Sequence, residues 1–120
     1  MIELRLAQRK IWPSEIGEEY KIVLDNQSIG IITIAFSRNS SHHSEIGGFM
    51  IYDESNQNKG YGTEAFAKIM KKLPAHVPID LAVWKTNDRA KHIYEKAGFR
   101  IINKGKGYNR DVYYMTKNNN

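Results

Sequence analysis

Residues 45–84 have the sequence EIGGFMIYDESNQNKGYGTEAFAKIMKKLPAHVPIDLAVW, and this stretch decides the fold. Its first part, 45–52, and its last part, 77–84, are apolar runs of strand length. Between them, apolar residues recur at helical spacings of three and four: Tyr61, Ala65, Phe66, Ile69, Met70 and Leu73. A strand–helix–strand unit predicts a right-handed crossover that joins two parallel strands. Inside the first strand, Gly47 and Gly48 predict a bulge or a close backbone approach.

Three further strands are predicted before this unit. Residues 2–8 alternate apolar and polar side chains, which is the period of a strand. Residues 19–25 and 29–37 are rich in β-branched and aromatic residues, and Asn26-Gln27-Ser28 between them is typical of a hairpin turn. We expect 9–18 to be a connector, with room for one helical turn after Pro13.

A second helix and a hairpin are predicted after the unit. Asn87 or Asp88 can cap the helix, its apolar face is Ala90, Ile93, Tyr94 and Ala97, and Gly98 suits a left-handed stop. Two strand-like segments, 99–103 and 108–115, then flank a glycine-containing turn.

The element order is therefore four strands, a helix, a strand, a helix and two strands. It predicts an α/β fold with a single mixed sheet of about seven strands around the central crossover. We expect one domain over 1–116 and a polar tail at 117–120.

The composition excludes several classes of protein. The 120-residue chain has no cysteine, which rules out disulfides, a thiol nucleophile and a cysteine-ligated zinc. No apolar run approaches the roughly 20 residues of a membrane helix, and the N-terminus lacks a secretory signal. We therefore expect a cytoplasmic protein with no membrane partner. The formal net charge of +5 suits nucleic acid, acidic partners or a phosphate-bearing cofactor, but no recognition motif supports nucleic acid.

The loop before the first helix has the features of a phosphate site. Its sequence, Gln57-Asn58-Lys59-Gly60-Tyr61-Gly62-Thr63, contains glycines that allow a tight turn and close approach of a ligand. The helix that follows presents free N–H groups and the positive end of its dipole. The loop is neither a Walker A motif nor G-x-G-x-x-G, and an ordinary glycine-containing turn is the alternative.

Two motifs together resemble the GCN5-related N-acetyltransferases. The acetyl-CoA motif of that family, Gln/Arg-x-x-Gly-x-Gly/Ala, is matched by Gln57, Gly60 and Gly62. A later motif, Asn-x-x-Ala-x-x-x-Tyr-x-x-x-Gly-Phe, is matched by Asn87, Ala90, Tyr94, Gly98 and Phe99. The two motifs occur in the expected order, with a strand between them.

The resemblance implies an acetyl-CoA site, and no His-x-x-x-His pattern or acidic cluster in the sequence indicates a metal. Two strands would splay apart around the pantetheine arm, which would pair with backbone groups of Phe49, Met50 and Ile51. The pyrophosphate would lie on the amides from Asn58 to Thr63, a segment that includes Lys59, Gly60, Tyr61 and Gly62. Gln57 belongs to the same motif, and Asn87 would lie near the pantetheine arm.

The same resemblance implies direct transfer of the acetyl group to an amine in a ternary complex. Tyr94 would protonate the departing thiolate, although its position on an apolar helix face also suits a core aromatic. Glu45 is the candidate general base, with a solvated strand-end charge as its alternative. His42, His43 and water remain open as bases. Backbone N–H groups would stabilise the oxyanion.

The chain departs from the family pattern near its N-terminus. Two helices usually follow the first strand in that family, whereas only about ten residues, 9–18, occupy the interval here. The acceptor site is then either open or completed by the second subunit of a homodimer. Four aromatics are candidates for lining it or for ordinary packing: Trp12, Tyr108, Tyr113 and Tyr114. A non-catalytic CoA-binding or interaction domain is the alternative function.

Overall fold

A single mixed sheet organises the structure. The computed structural model describes residues 1–39, 42–57, 59–107 and 109–120, which form seven strands and two α-helices. The strands are β1 (Ile2–Ile11), β2 (Glu15–Leu24), β3 (Gln27–Ser37), β4 (Ser44–Ile51), β5 (Pro78–Trp84), β6 (Arg100–Gly107) and β7 (Arg110–Asn118). The helices are α1 (Tyr61–Met70) and α2 (Asp88–Lys96), and a short 3₁₀ turn spans Glu54–Asn56. The predicted fold class and element order are confirmed.

The sheet order is β1-β2-β3-β4-β5-β7-β6. β4 and β5 are parallel, as the crossover predicts, and the other described neighbours are antiparallel. Both helices lie on one face, because the Phe49 ring of β4 contacts Phe66 of α1 at 5.8 Å and Tyr94 of α2 at 6.2 Å between centroids. Ile32 and Ile79 supply fully buried side chains to the same core.

The connector predicted at 9–18, with its helical turn, is wrong. β1 continues to Ile11 and β2 begins at Glu15, so the two strands form one long antiparallel hairpin. Its tip is closed by Trp12, whose N–H donates to the carbonyl oxygen of Glu15 at 2.8 Å. The part of β1 beyond residue 8 is exposed, so the apolar alternation of residues 2–8 does not continue to its end.

The last residues of the chain, 117–120, begin inside the final strand. β7 runs to Asn118, which pairs with Pro78 of β5. The Lys117 ammonium donates to the carbonyl of Ala97 at 2.5 Å, beyond the end of α2. The next side chain, Asn119, donates to the carbonyl oxygens at 73 and 74. Polar side chains here bind backbone acceptors, a role that hydropathy does not reveal.

Candidate active site

The two parallel strands form a fork. β4 and β5 pair only at Ser44↔Ile79 and Glu45↔Asp80, and then they diverge. The predicted bulge lies just past this point, since the register of β4 against β3 shifts between Ile46 and Phe49. A bulge bends the strand and adds twist. The β4 backbone beyond Glu45 is therefore left without pairing from β5 and available to an extended ligand.

A cavity of about 380 Å³ occupies the fork on the helix face. Its wall includes eight residues that the sequence assigns to the cofactor: Phe49, Met50, Ile51, Gln57, Gly60, Gly62, Thr63 and Asn87. Lys59 and Tyr61 belong to the same loop and helix start but do not line the cavity. Asn58 lies outside the described residues.

The start of α1 forms one end of this cavity. Gly60 is the N-cap with φ +82°, a left-handed conformation that favours glycine. The first helical bond runs from the Glu64 N–H to the Gly60 carbonyl at 2.9 Å, so the preceding amides have no acceptor within the helix. At Gly62 a Cβ would lie 3.2 Å from Ile93 Cδ1, and a side chain there would narrow the cavity. The Gln57 amide donates to the Ile51 carbonyl at 3.1 Å and ties the loop to β4.

The start of α2 forms the facing wall. The Asn87 side chain accepts from the Ala90 N–H at 3.2 Å, as the capping pattern predicts. The helix ends in a Schellman motif. Gly98 adopts a φ of +101°, and the N–H of the next residue, Phe99, donates to the Tyr94 carbonyl. Five wall residues were given no cofactor role by the sequence: Asn56, Arg89, Ala90, His92 and Ile93. Two of them, Arg89 and His92, bring polar side chains from α2. Their spacing of three places them on one helix face, and that spacing is the signal that could have found them.

Tyr94 lies one ring behind the cavity wall. Its ring is 5.2 Å from that of Phe66 and 6.2 Å from that of Phe49, which does line the cavity. Only 4% of the residue is exposed. Burial raises the pKa of Tyr94 to about 12, because desolvation disfavours the phenolate. Within the described part of the chain, its hydroxyl makes no hydrogen bond.

The exposed face of the sheet carries a second cavity, of about 450 Å³, beside the fork. Glu45 and Asp80 line it from β4 and β5, and Tyr114 lines it from β7. The other predicted aromatics lie elsewhere: Trp12 packs over Gly17 in the first hairpin, and Tyr113 lies beneath the ammonium groups of two lysines. Tyr108 is outside the described residues.

Asp80 is held by two side chains from outside β5, one in β7 and one just before β4. Its Oδ2 is 2.7 Å from His43 Nδ1, and its Oδ1 accepts from the Thr116 hydroxyl at 2.8 Å. His42, the neighbouring histidine, is exposed and has no such partner among the described residues. The structure thus distinguishes two histidines that are equivalent in the sequence.

Comparison with known proteins assigns this fork to a family. The acetyltransferase (GNAT) family model matches residues 5–99. The chain belongs to the GNAT acetyltransferases. A comparison with curated protein sequences gave no significant match.

Solved structures of other GNAT proteins share the fold. An acetyltransferase from Thermus thermophilus superposes with a TM-score of 0.70 at 17% identity, covering 88% of this chain and 64% of that one. An aminoglycoside acetyltransferase in complex with coenzyme A gives 0.68 at 19%, covering 85% and 66%. A Bacillus subtilis acetyltransferase in complex with CoA gives 0.70 at 15%, covering 98% and 99%. The chain thus spans about two thirds of the length of the first two GNAT relatives.

Metal ligands and membrane spans are two further features that bear on the function of this GNAT chain. Among the described residues, no three or more acidic or histidine side chains are grouped so as to hold a metal ion. In the same residues, neither helix has the length and apolar character needed to cross a membrane.

Proposed function

We propose that the chain is an acetyl-CoA-dependent N-acetyltransferase that transfers an acetyl group to a primary amine in a ternary complex. The observation that carries this proposal is the fork, because one cavity joins a helix N-terminus to the unpaired edge of β4. Acetyl-CoA needs both features, an anion site for its pyrophosphate and an extended backbone for its pantetheine arm.

The residues of the helix-face cavity fit this ligand. The amides at the start of α1 would bind the pyrophosphate, with Lys59 and Arg89 adding positive charge. Met50 and Ile51 would pair through their backbone with the pantetheine arm, and Asn87 would lie beside it. Gly62 keeps this path clear, since a Cβ at that position would crowd Ile93.

The chemistry would take place where the fork opens. An acceptor amine must lose a proton before its nitrogen lone pair can attack the thioester carbonyl. Glu45, on the exposed face, is proposed to hold the acceptor ammonium at the fork. Tyr94, on the helix face, is proposed to donate a hydrogen bond to the departing thiolate. Acetyl transfer then yields an amide and free CoA.

The proposal that the acceptor is an amine is supported by similar solved structures rather than by this chain alone. One relative is an aminoglycoside acetyltransferase, and another is an acetyltransferase of the α-N terminus of a ribosomal protein. Both named acceptors carry amines, but they differ greatly in size. We further propose that the reaction is cytoplasmic, which a chain without cysteine suits.

Charge reversal at the two ends of α1 tests the cofactor site. Isothermal titration with acetyl-CoA is expected to show binding that Lys59→Glu weakens by about 5- to 30-fold, since one reversed charge near a phosphate is worth roughly 1–2 kcal/mol. Lys71→Glu, at the far end of the same helix, is the matched control and should leave binding unchanged. Equal effects of the two variants would show that the pyrophosphate does not bind at the start of α1.

A screen of primary amines then tests catalysis. Released CoA can be followed with a thiol reagent without background, because the chain has no cysteine. The panel contains tyramine, cadaverine, ribostamycin and a short peptide with a free N-terminus. Binding of acetyl-CoA without CoA release for any nucleophile would instead support the non-catalytic CoA-binding domain.

A further inference from the structure

We propose that His43, oriented by Asp80, is the general base that takes the proton of the acceptor ammonium. This inference rests on the proposed N-acetyltransferase activity and adds to it the group that makes the amine nucleophilic. Its starting point is a chain of three side chains, Thr116–Asp80–His43, which joins β7, β5 and the residue preceding β4.

The hydrogen bonds define which imidazole nitrogen is available. An ionised carboxylate can only accept, so His43 Nδ1 must carry the hydrogen that it donates to Asp80 Oδ2 over 2.7 Å. The neutral ring then has an unprotonated Nε2 with a free lone pair. Thr116 occupies the other carboxylate oxygen of Asp80. Asp80 is thereby fixed from two sides and can orient the ring.

The network also borders the place where the acceptor would lie. Asp80 lines the cavity on the exposed face together with Glu45, its register partner in β4. His43 and Glu45 are two residues apart, which separates their Cα atoms by about 6.6 Å where the chain is extended. In the proposed arrangement, a water molecule relays the proton from an ammonium held by Glu45 to the imidazole. The side chain of His43 is 55% exposed, which lets the proton pass on to solvent.

The division of roles follows from chemistry. Glu45 attracts the ammonium, and the free Nε2 lone pair of His43 accepts its proton. In the step itself, an N–H bond of the ammonium breaks and its electron pair stays on nitrogen. The proton forms a new N–H bond at Nε2, and the resulting imidazolium is stabilised by Asp80. Asp80 is a positioning residue in this scheme.

If the network of Thr116, Asp80 and His43 were purely structural, it would add little to the stability of the fold. The backbones of β4 and β5 already pair at this point. A side-chain contact as exposed as His43–Asp80 typically adds at most about 1 kcal/mol to stability. The thermal unfolding midpoint of the His43→Gln variant should therefore lie close to that of the wild type.

The test compares nucleophiles that do and do not need a base. His43→Gln is expected to lower kcat for the fastest ammonium acceptor of the panel by about 10²-fold, with its KM nearly unchanged. Hydroxylamine, which is already unprotonated at neutral pH, should react with wild type and variant at similar rates. His42→Gln is the matched control and should behave as wild type.

A spectroscopic measurement tests the orientation separately. Long-range ¹H–¹⁵N NMR of the imidazoles should show His43 as the Nδ1–H tautomer, and Asp80→Asn should remove that preference and lower kcat about tenfold. Equal rates for His43→Gln and His42→Gln would overturn the proposal, as would a loss of the hydroxylamine reaction equal to that of the amines. If wild type releases no CoA with any nucleophile, including hydroxylamine, the proposed function itself fails.

Discussion

Replacing Tyr94 by Phe is expected to lower kcat while leaving the fold intact. The ring of Tyr94 is buried, and its hydroxyl makes no hydrogen bond within the described residues, so removal of the hydroxyl breaks no interaction of the free protein. The variant should therefore have about the same unfolding free energy as the wild type.

The size of the catalytic effect follows from the raised pKa. Burial raises the pKa of Tyr94 to about 12, whereas an alkyl thiol such as that of cysteine titrates near 8.5. Complete proton transfer from this phenol to a thiolate is thus uphill by roughly 5 kcal/mol. Donation of a hydrogen bond to the developing negative charge contributes about 1.5–3 kcal/mol. Loss of that contribution corresponds to a decrease in kcat of about 10- to 150-fold.

A second tyrosine offers a matched control with the opposite outcome. Tyr20 is also buried, and burial together with the Glu18 carboxylate raises its pKa to about 12. Its hydroxyl donates to Glu18 at 2.8 Å in β2, away from the fork. Tyr20→Phe should cost about 1–2 kcal/mol of stability, because it removes a hydrogen bond to a buried charge, and it should leave kcat unchanged.

The assay is CoA release for kcat and urea unfolding for stability, both at neutral pH. The reasoning is refuted if Tyr94→Phe retains full kcat, or if its unfolding free energy falls by more than about 2 kcal/mol. The first result would make Tyr94 only a core aromatic. The second would mean that the hydroxyl has a partner that stabilises the fold.

Three further outcomes are expected. Gly60→Ala should lower the unfolding free energy by about 1 kcal/mol, because the left-handed φ of +82° disfavours alanine although its Cβ meets open space; urea titration measures this. Arg89→Ala should weaken acetyl-CoA binding about 5- to 10-fold and reduce its salt dependence in calorimetry; unchanged binding would remove Arg89 from the site. Burial raises the pKa of Tyr94 in the folded protein to about 12, so this tyrosine ionises first in the unfolded chain. The wild type should therefore lose up to about 2–3 kcal/mol of unfolding free energy between pH 10 and 12, whereas Tyr94→Phe should not.

The parts of the site that the sequence predicts are those set by local structure. The cap at Asn87 and the stop at Gly98 depend on a few adjacent residues, and both occur as expected. The glycine loop before α1 is equally local. The long first hairpin was missed because its tip is exposed, and exposed strand residues need no apolar period.

The His43–Asp80 contact could not be predicted for a different reason. These residues are 37 positions apart, and they meet only because β4 and β5 adopt one particular parallel register. A shift of one residue would turn Asp80 to the helix face, and the contact would be lost. Local patterns predict that such strands are parallel, but the register depends on packing across the whole core.

The first hairpin also bears on acceptor selectivity in the proposed reaction. β1 and β2 are joined by residues 12–14, so the covering helices usual in this family cannot form between them. The cofactor side of the fork is bounded by both helices and β4, whereas the acceptor side is bounded by strands alone, with Glu45 and Tyr114 exposed. A site bounded by strands alone leaves part of a bound ligand in water, so few of the ligand's groups are selected by contact. In the proposed reaction the chain should therefore discriminate weakly among amines of similar charge, and kcat/KM values across the amine panel measure this.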